Sequence, residues 1–209
     1  MRRGTCAYCG EQGVLVTREH VIPRCLYPAS MSRSRVQRLT VPACVGCNNG
    51  WADDEAHFRN VLLLAGETNQ AVRELWETTA ARGFAELDGR RRLEDLIEQM
   101  KPVKVDAADR HMIYPGQDPR VRRILRKVIR GLRFHHGFTS PISDSQIEAD
   151  VLRYVVPEEF LERMPVHHRE REILEYRLMP LNLDDMESAW ILTFFERRTF
   201  IGVVSNAAT

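Results

Sequence analysis

With 209 residues, 24.2 kDa and 44% hydrophobic side chains, the chain is long enough to bury a packed core, as one good-sized domain or a small one joined to a medium one. No apolar run approaches the length of a membrane span, and Met1-Arg2-Arg3-Gly4 leads into Cys6 without the apolar segment of a signal peptide, which points to a cytoplasmic protein with no membrane partner. The formal net charge is only +1, but residues 1–50 hold seven arginines (Arg2, Arg3, Arg18, Arg24, Arg33, Arg35 and Arg38) against Glu11 and Glu19. That local excess suits a polyphosphate partner, because guanidinium groups pair with phosphate oxygens in a bidentate way, and it suits equally a solvated basic surface.

The first chemistry-bearing element is Cys6-Ala7-Tyr8-Cys9, and its counterpart is Cys44-Val45-Gly46-Cys47. Two such pairs a few tens of residues apart have the spacing of a four-thiolate zinc site, in which each pair sits on a tight turn and the metal ties the turns together. A redox dithiol is the other chemistry open to such a pair, and a reducing compartment favours the metal. Cys25 is then a spare thiol. Between the pairs, Gly13–Thr17 reads as a short strand leading to Glu19-His20 and ended by Pro23, residues 29–35 as a polar mobile loop, and Leu39–Val41 as a return strand. A neutral imidazole at His20 is available as a general base near pH 7, and Glu19, on the opposite side of an extended strand, can reach a different centre. After the second pair, Asn48-Asn49-Gly50 is turn chemistry, and from Asp53 onward Ala56, Val61, Leu62, Leu64 and Ala65 form the apolar face of a helix.

This series, CxxC, then Glu19-His20-Val21-Ile22-Pro23, then Cys44-x-x-Cys47-Asn48, resembles the HNH (His-Me finger) endonuclease family in the form that carries two zinc-binding CxxC pairs. The resemblance covers about the first quarter of the chain. It implies a ββα-metal finger, with His20 as general base and one divalent ion, Mg²⁺ or Mn²⁺, held by Glu19 and Asn48. Asn49, Asp53, Asp54 and His57 are further candidates as ligands or supporting groups. Asp53 and Asp54 equally suit capping of a helix start, and His57 a helix surface. One departure from the family is visible: Leu39 stands where the return strand usually has an Asn that orients the base, and Gln37 could supply an amide from a shifted register.

Farther along, helices are expected over Asn69–Ala81 and Arg91–Met100, separated by Gly83–Gly89, followed by a pair of short strands within Lys101–His111 and strong punctuation at Tyr114–Pro119. Arg120–Phe134 reads as a helix bounded by Pro119 before it and by Gly131 and Gly137 near its end. Its apolar face is Val121, Ile124, Leu125, Val128, Ile129 and Leu132, opposite a basic face that includes Arg122, Arg126 and Arg130. That basic face could track a nucleic-acid backbone, as could Arg18, Arg24, Arg33 and Arg35, or it could be balanced by acidic residues of the C-terminal region. The pairs His135-His136 and His167-His168 read as surface residues. Strands are expected at Val151–Val156 and Ile173–Leu178, a short helix at Pro157–Met164, and a hairpin from Ser188–Phe195 and Thr199–Val204 that buries its apolar face against the basic helix.

The expectation is therefore an α+β protein, with a zinc-stapled ββα-metal finger over residues 1–66 and a helical and mixed α+β accessory region over 67–209. The function implied is hydrolysis of DNA phosphodiester bonds with structural Zn²⁺ and catalytic Mg²⁺ or Mn²⁺. A double-strand cut by such a single-site enzyme would call for a homodimer. The competing reading is a catalytically silent zinc-binding module for nucleic acid or protein, and Leu39 favours it.

Overall fold

The computed structural model describes residues 2–33, 38–64, 66, 69–104, 110–169, 172–181 and 183–206. The fold is mixed α+β. Strands β1 (Arg2–Gly4), β2 (Val14–His20) and β3 (Thr40–Cys44) form an antiparallel sheet with β2 central, followed by a single turn α1 (Val45–Asn48) and by α2 (Ala52–Leu64). In the β2–β3 register Glu19 lies opposite Val41 and His20 opposite Thr40. Residues 29–33, expected to be a mobile loop, form a 3-10 helix, and the rest of that stretch lies outside the described residues, as does Gln37.

The middle of the chain is helical: α3 (Gln70–Leu75), a π turn at Trp76–Ala80, α4 (Ala81–Ala85) and α5 (Leu87–Gln99). Asn69 caps α3, its side-chain oxygen accepting from Val72 N at 3.1 Å. The glycine-bounded stretch expected to separate two helices is instead part of both. Gly83 lies within α4 and Gly89 within α5, and a Cβ on Gly89 would stand 1.7 Å from the Gly83 carbonyl oxygen. These glycines mark where two helices touch, which sequence alone cannot distinguish from a break. Strands β4 (Lys101–Lys104) and β5 (Arg110–Ile113) pair as a small hairpin.

Helix α6 (Pro119–His135) is the centre of the molecule. It starts on an Asp118 cap with Pro119 in the first turn and ends with Gly137 at φ +88. Its apolar side chains are sealed, with Ile124, Leu125, Val128, Ile129 and Leu132 all fully buried. Five antiparallel strands follow, with α7 (Glu158–Glu162) between the first two: β6 (Ile147–Val151), β7 (Val166–Arg169), β8 (Leu174–Pro180), β9 (Met186–Phe194) and β10 (Arg198–Ser205), in the order β6-β10-β9-β8-β7. One side of α6 packs on β6 and β10, the other on α2 and β3. Two glycines permit this double contact. A Cβ on Gly202 of β10 would meet Ile129 at 2.3 Å, and one on Gly131 would meet both Val21 methyl groups at 2.7 Å. Gly131, expected near the helix boundary, is thus a close-approach site inside the helix. A single hydrophobic cluster runs from Cys6, Tyr8 and Val21 through α6 to Trp190 and Phe194.

Two further expectations are corrected. The strand expected at Val151–Val156 is Ile147–Val151: its pairing with β10 ends at Val151 opposite Phe200, with one further bond from Leu152 N to the Thr199 carbonyl at 3.0 Å, and Tyr154 and Val155 beyond it are exposed. His136 and His167 are half-buried, not on the surface. His136 Nε2 lies 2.9 Å from the Tyr176 hydroxyl, and the His167 ring stacks on Tyr176 with centroids 5.0 Å apart. No helix among the described residues is long and apolar enough to cross a membrane.

Candidate metal centre and adjoining cleft

The four cysteines of the paired motifs come together. Cys6, Cys9, Cys44 and Cys47 have their sulfurs within 4.8 Å of one another, and they are the only group of three or more His, Cys, Asp or Glu among the described residues close enough to share an ion. Cys6 and Cys9 lie on a turn closed by Gly10 N donating to the Cys6 carbonyl at 3.0 Å, with Gly10 at φ +73. Cys44 ends β3 and Cys47 sits on α1, so the sheet edge delivers one pair and the knuckle the other. The Cys9 and Cys44 sulfurs are 3.9 Å apart, close to the sulfur–sulfur edge of about 3.8 Å in a tetrahedron with 2.3 Å Zn–S bonds. Burial tends to raise the Cys6 thiol pKa, but backbone N–H groups of Cys44, Cys9 and Tyr8 outweigh it and bring Cys6 down to about 7. Burial pushes the Cys9 and Cys47 thiols up, so it is the geometry of the four sulfurs that favours a metal. The donor set therefore fits a structural metal such as zinc. Cys25 stands apart, donating to the Glu55 carbonyl at 3.3 Å, and burial pushes its thiol up to about 12.

Beside this cluster is a cleft of about 220 Å³ where the end of β2 meets the α1–α2 turn. Glu19, His20, Asn48 and Asn49 all line it, with Arg24 and Glu55. The Asn48 amide donates from Nδ2 to Thr17 Oγ1 at 2.6 Å, so its oxygen is the end left for a ligand. Burial lowers the His20 pKa, and the nearby charges of Arg24, Arg38 and Lys127 lower it further, which keeps the imidazole neutral at pH 7. The backbone just past His20 is fixed by Val21 N donating to the Leu39 carbonyl at 3.0 Å. Leu39 itself is partly buried and packs against the core.

Glu19 is 9% exposed, and its Oε1 accepts a hydrogen bond from Lys127 of α6. Burial raises its pKa, and the Lys127 ammonium opposes the rise. Lys127, completely buried, also donates to Glu55 Oε1 at 2.5 Å and lies 5.6 Å from the Trp51 ring centroid. One turn earlier on the same helix, Arg123 pairs with Asp54 at 2.7 Å and stacks over Trp51 at 4.8 Å. Neither Lys127 nor Glu55 is marked by any motif. The one sequence signal was Gly131, a helix-weakening residue inside an otherwise helical pattern, which hints at a close neighbour along that stripe.

The remaining sequence candidates lie elsewhere. Asp54 is occupied by Arg123, and Asp53 and His57 line a second cleft of about 500 Å³ between α2, α5 and the start of α6. There His57 Nε2 is 2.9 Å from Asp118 Oδ2, and the Tyr114 hydroxyl donates to the same oxygen at 2.5 Å. Arg18 is exposed on a groove of about 600 Å³ shared with Arg2, Thr17 and Thr40. The Arg33 side chain and Arg35 lie outside the described residues. On α6, the three arginines expected to track a backbone are engaged within the protein: Arg122 with Asp150 at 3.1 Å, Arg126 with the Ile147 carbonyl at 2.9 Å, and Arg130 with Asp144 at 2.5 Å. Arg122 and Arg130 thus meet acidic residues of the C-terminal region, the partners that the balanced reading of that face named, and Arg126 meets a backbone carbonyl instead. Comparison with protein-family models, with curated proteins and with solved structures finds no match to this chain.

Proposed function

We propose that the protein is a metal-dependent endonuclease of the HNH type, hydrolysing DNA phosphodiester bonds in the cleft beside the four-cysteine cluster. The observation that carries this reading is the convergence of Glu19, His20 and Asn48, from two elements joined by the cysteine staple, on one cavity. The succession of β2, β3 and the α1–α2 helices around those cysteines is what a ββα-metal finger requires.

The donors fit a hard divalent ion. Glu19, whose carboxylate is also hydrogen-bonded by Lys127 and by the His20 backbone N–H, and Asn48, through its amide oxygen, line a 220 Å³ cleft with room for several waters at about 30 Å³ each. When bound, Mg²⁺ or Mn²⁺ would supply positive charge at the phosphoryl and leaving oxygens. His20, half-buried among cations that favour its neutral form, takes the proton from the attacking water. Water attacks phosphorus in line with the 3′-oxygen; the P–O3′ bond breaks, the 3′-oxygen takes a proton from solvent water and leaves as a 3′-hydroxyl, and the phosphate stays on the 5′ side of the other fragment. Arg24 at the cleft and Arg2 and Arg18 on the neighbouring groove are the cations available to the DNA backbone.

The test is cleavage of supercoiled plasmid with Mg²⁺, Mn²⁺ or EDTA. Wild type should nick or linearise it only with divalent metal, and His20→Ala should lower the rate by about 10²-fold or more while keeping its fold and one zinc per chain. Equal inactivity of both proteins would leave the second reading, a silent zinc-stabilised binding module. Two observations favour that reading: Leu39 at the position of the family's orienting Asn, and the hold of Lys127 on Glu19.

A further inference from the structure

We infer that Lys127 is a built-in counter-ion that confines the cleft to one divalent ion by occupying the place between Glu19 and Glu55 where an ion would otherwise bind. The inference rests on the reading of the cleft as a divalent-metal site. Three features carry it. Glu19 and Glu55 both face the cleft and both accept from the same ammonium nitrogen, so their Oε1 atoms are separated by less than two hydrogen-bond lengths. A divalent ion with oxygen ligands at about 2.0–2.2 Å could bridge such a pair. The ammonium is fully buried, so no water replaces it while α6 is docked.

Local charge gives the consequence. Two carboxylates and one ammonium sum to a single negative charge, and Arg24 lines the same cleft, which leaves too little to draw an ion strongly into the space between the acids. The Glu19 carboxylate and the amide oxygen of Asn48, which line the cleft together with His20, are then the remaining donors for an ion. Without the ammonium, the two acids carry two negative charges at close range in a partly buried site, and a divalent ion is the natural partner for them. Lys127 is thus a positioning residue. It acts through Glu19, and the distant helix α6 sets where the finger's ion sits. The stripe Arg123, Lys127, Gly131 on α6, spaced four residues apart, holds that cation in register: Arg123 on Asp54 and Trp51, Gly131 against Val21.

The experiment is a Mn²⁺ titration of the full-length zinc-loaded protein, followed by the electron paramagnetic resonance of free Mn²⁺ and by thermal melting with and without Mn²⁺. Lys127→Met should bind Mn²⁺ about tenfold more tightly than wild type, and added Mn²⁺ should raise its melting temperature more than that of wild type. Lys127→Arg, which keeps the charge, should stay within about threefold of wild type. Glu55→Gln, leaving Lys127 to Glu19 alone, should bind Mn²⁺ more weakly. Folded Lys127→Met binding Mn²⁺ no more tightly than wild type overturns the inference. Should Lys127→Met fail to fold, Glu55→Gln decides: affinity equal to or above wild type overturns it equally. These readouts need no cleavage, so a protein that follows the Mn²⁺ pattern but cuts no DNA refutes the nuclease and leaves the role of Lys127 standing. Plasmid cleavage with an unchanged Mn²⁺ pattern does the reverse.

Discussion

His57 and Asp118 meet 61 residues apart in sequence, 2.9 Å apart in space, and their ionisation links stability to pH. Burial lowers the His57 pKa, and Asp118 opposes this without cancelling it. Asp118 is held down to about 2: burial pushes it up, but hydrogen bonds from the Tyr114 hydroxyl and Arg120 N more than compensate. Both folded-state values lie below the unfolded ones, so the unfolded chain binds more protons and stability falls with falling pH. The His57 contribution is complete above about pH 6.5 and is lost as pH drops below it; the Asp118 contribution is complete above about pH 4 and is lost toward pH 2. Urea unfolding at pH 7, 6 and 5 should show wild type losing stability over this range and His57→Gln losing less. Asp118→Ala should cost about 2–4 kcal/mol at pH 7, because it removes the α6 cap as well as the bonds to His57 and Tyr114. A loss below 1 kcal/mol would mean the network is solvated in solution.

At the scale of elements, α6 decides how the cleft is built, and Gly131 is its most sensitive position. Alanine there gains about 1 kcal/mol of helix propensity, but its Cβ would stand 2.7 Å from both methyl groups of Val21, a stiff β-branched side chain that cannot rotate away. Overpacking typically costs about 1–3 kcal/mol, so Gly131→Ala should destabilise on balance. Val21→Ala in the same chain should recover part of the loss. Because Val21 follows His20 directly, Gly131→Ala should also slow any cleavage more than its stability loss explains. Denaturation and single-turnover assays on the two variants would check both points; a stabilised Gly131→Ala would show that α6 has slack against the finger. This helix also marks the limit of what the sequence discloses. The four cysteines and Glu19, His20 and Asn48 are legible because the chemistry is written in short spacings within fifty residues. Lys127 is 108 residues from Glu19, and in a row of arginines it reads as one more solvated cation. Its role follows from the docking of α6 between two layers, a tertiary fact with no local signature. Gly83, Gly89 and Gly131 illustrate the same ambiguity, since breaks and close contacts both select glycine.

For the whole molecule, the question is whether residues 1–66 fold as a unit of their own. Cys6, Tyr8, Val21, Ile22, Leu26 and Phe58 belong to the same buried cluster as α6 and the C-terminal sheet, and Phe58 meets Phe194 edge to face with centroids 5.2 Å apart. Cutting the chain after α2 would expose that face to water at about 25 cal/mol per Å² of apolar surface, a loss the metal staple alone would have to offset. Zinc removal is therefore expected to act on the entire protein. If the cysteine site contributes about 5 kcal/mol, chelation should lower the melting temperature by roughly 10–20 °C for a chain of this size. The transition should remain single, because among the described residues one buried apolar cluster spans the cysteine-bearing region, α6 and the C-terminal sheet. Trp51 beside the cysteine cluster and Trp190 in β9 report from opposite ends of that core. Following Trp190 in a Trp51→Phe, Trp76→Phe background, and Trp51 in a Trp76→Phe, Trp190→Phe background, should give coincident melting curves with and without zinc. Early loss of the Trp51 signal on chelation, with Trp190 unchanged, would show a finger that folds and unfolds alone, and would remove the physical basis for coupling its chemistry to α6.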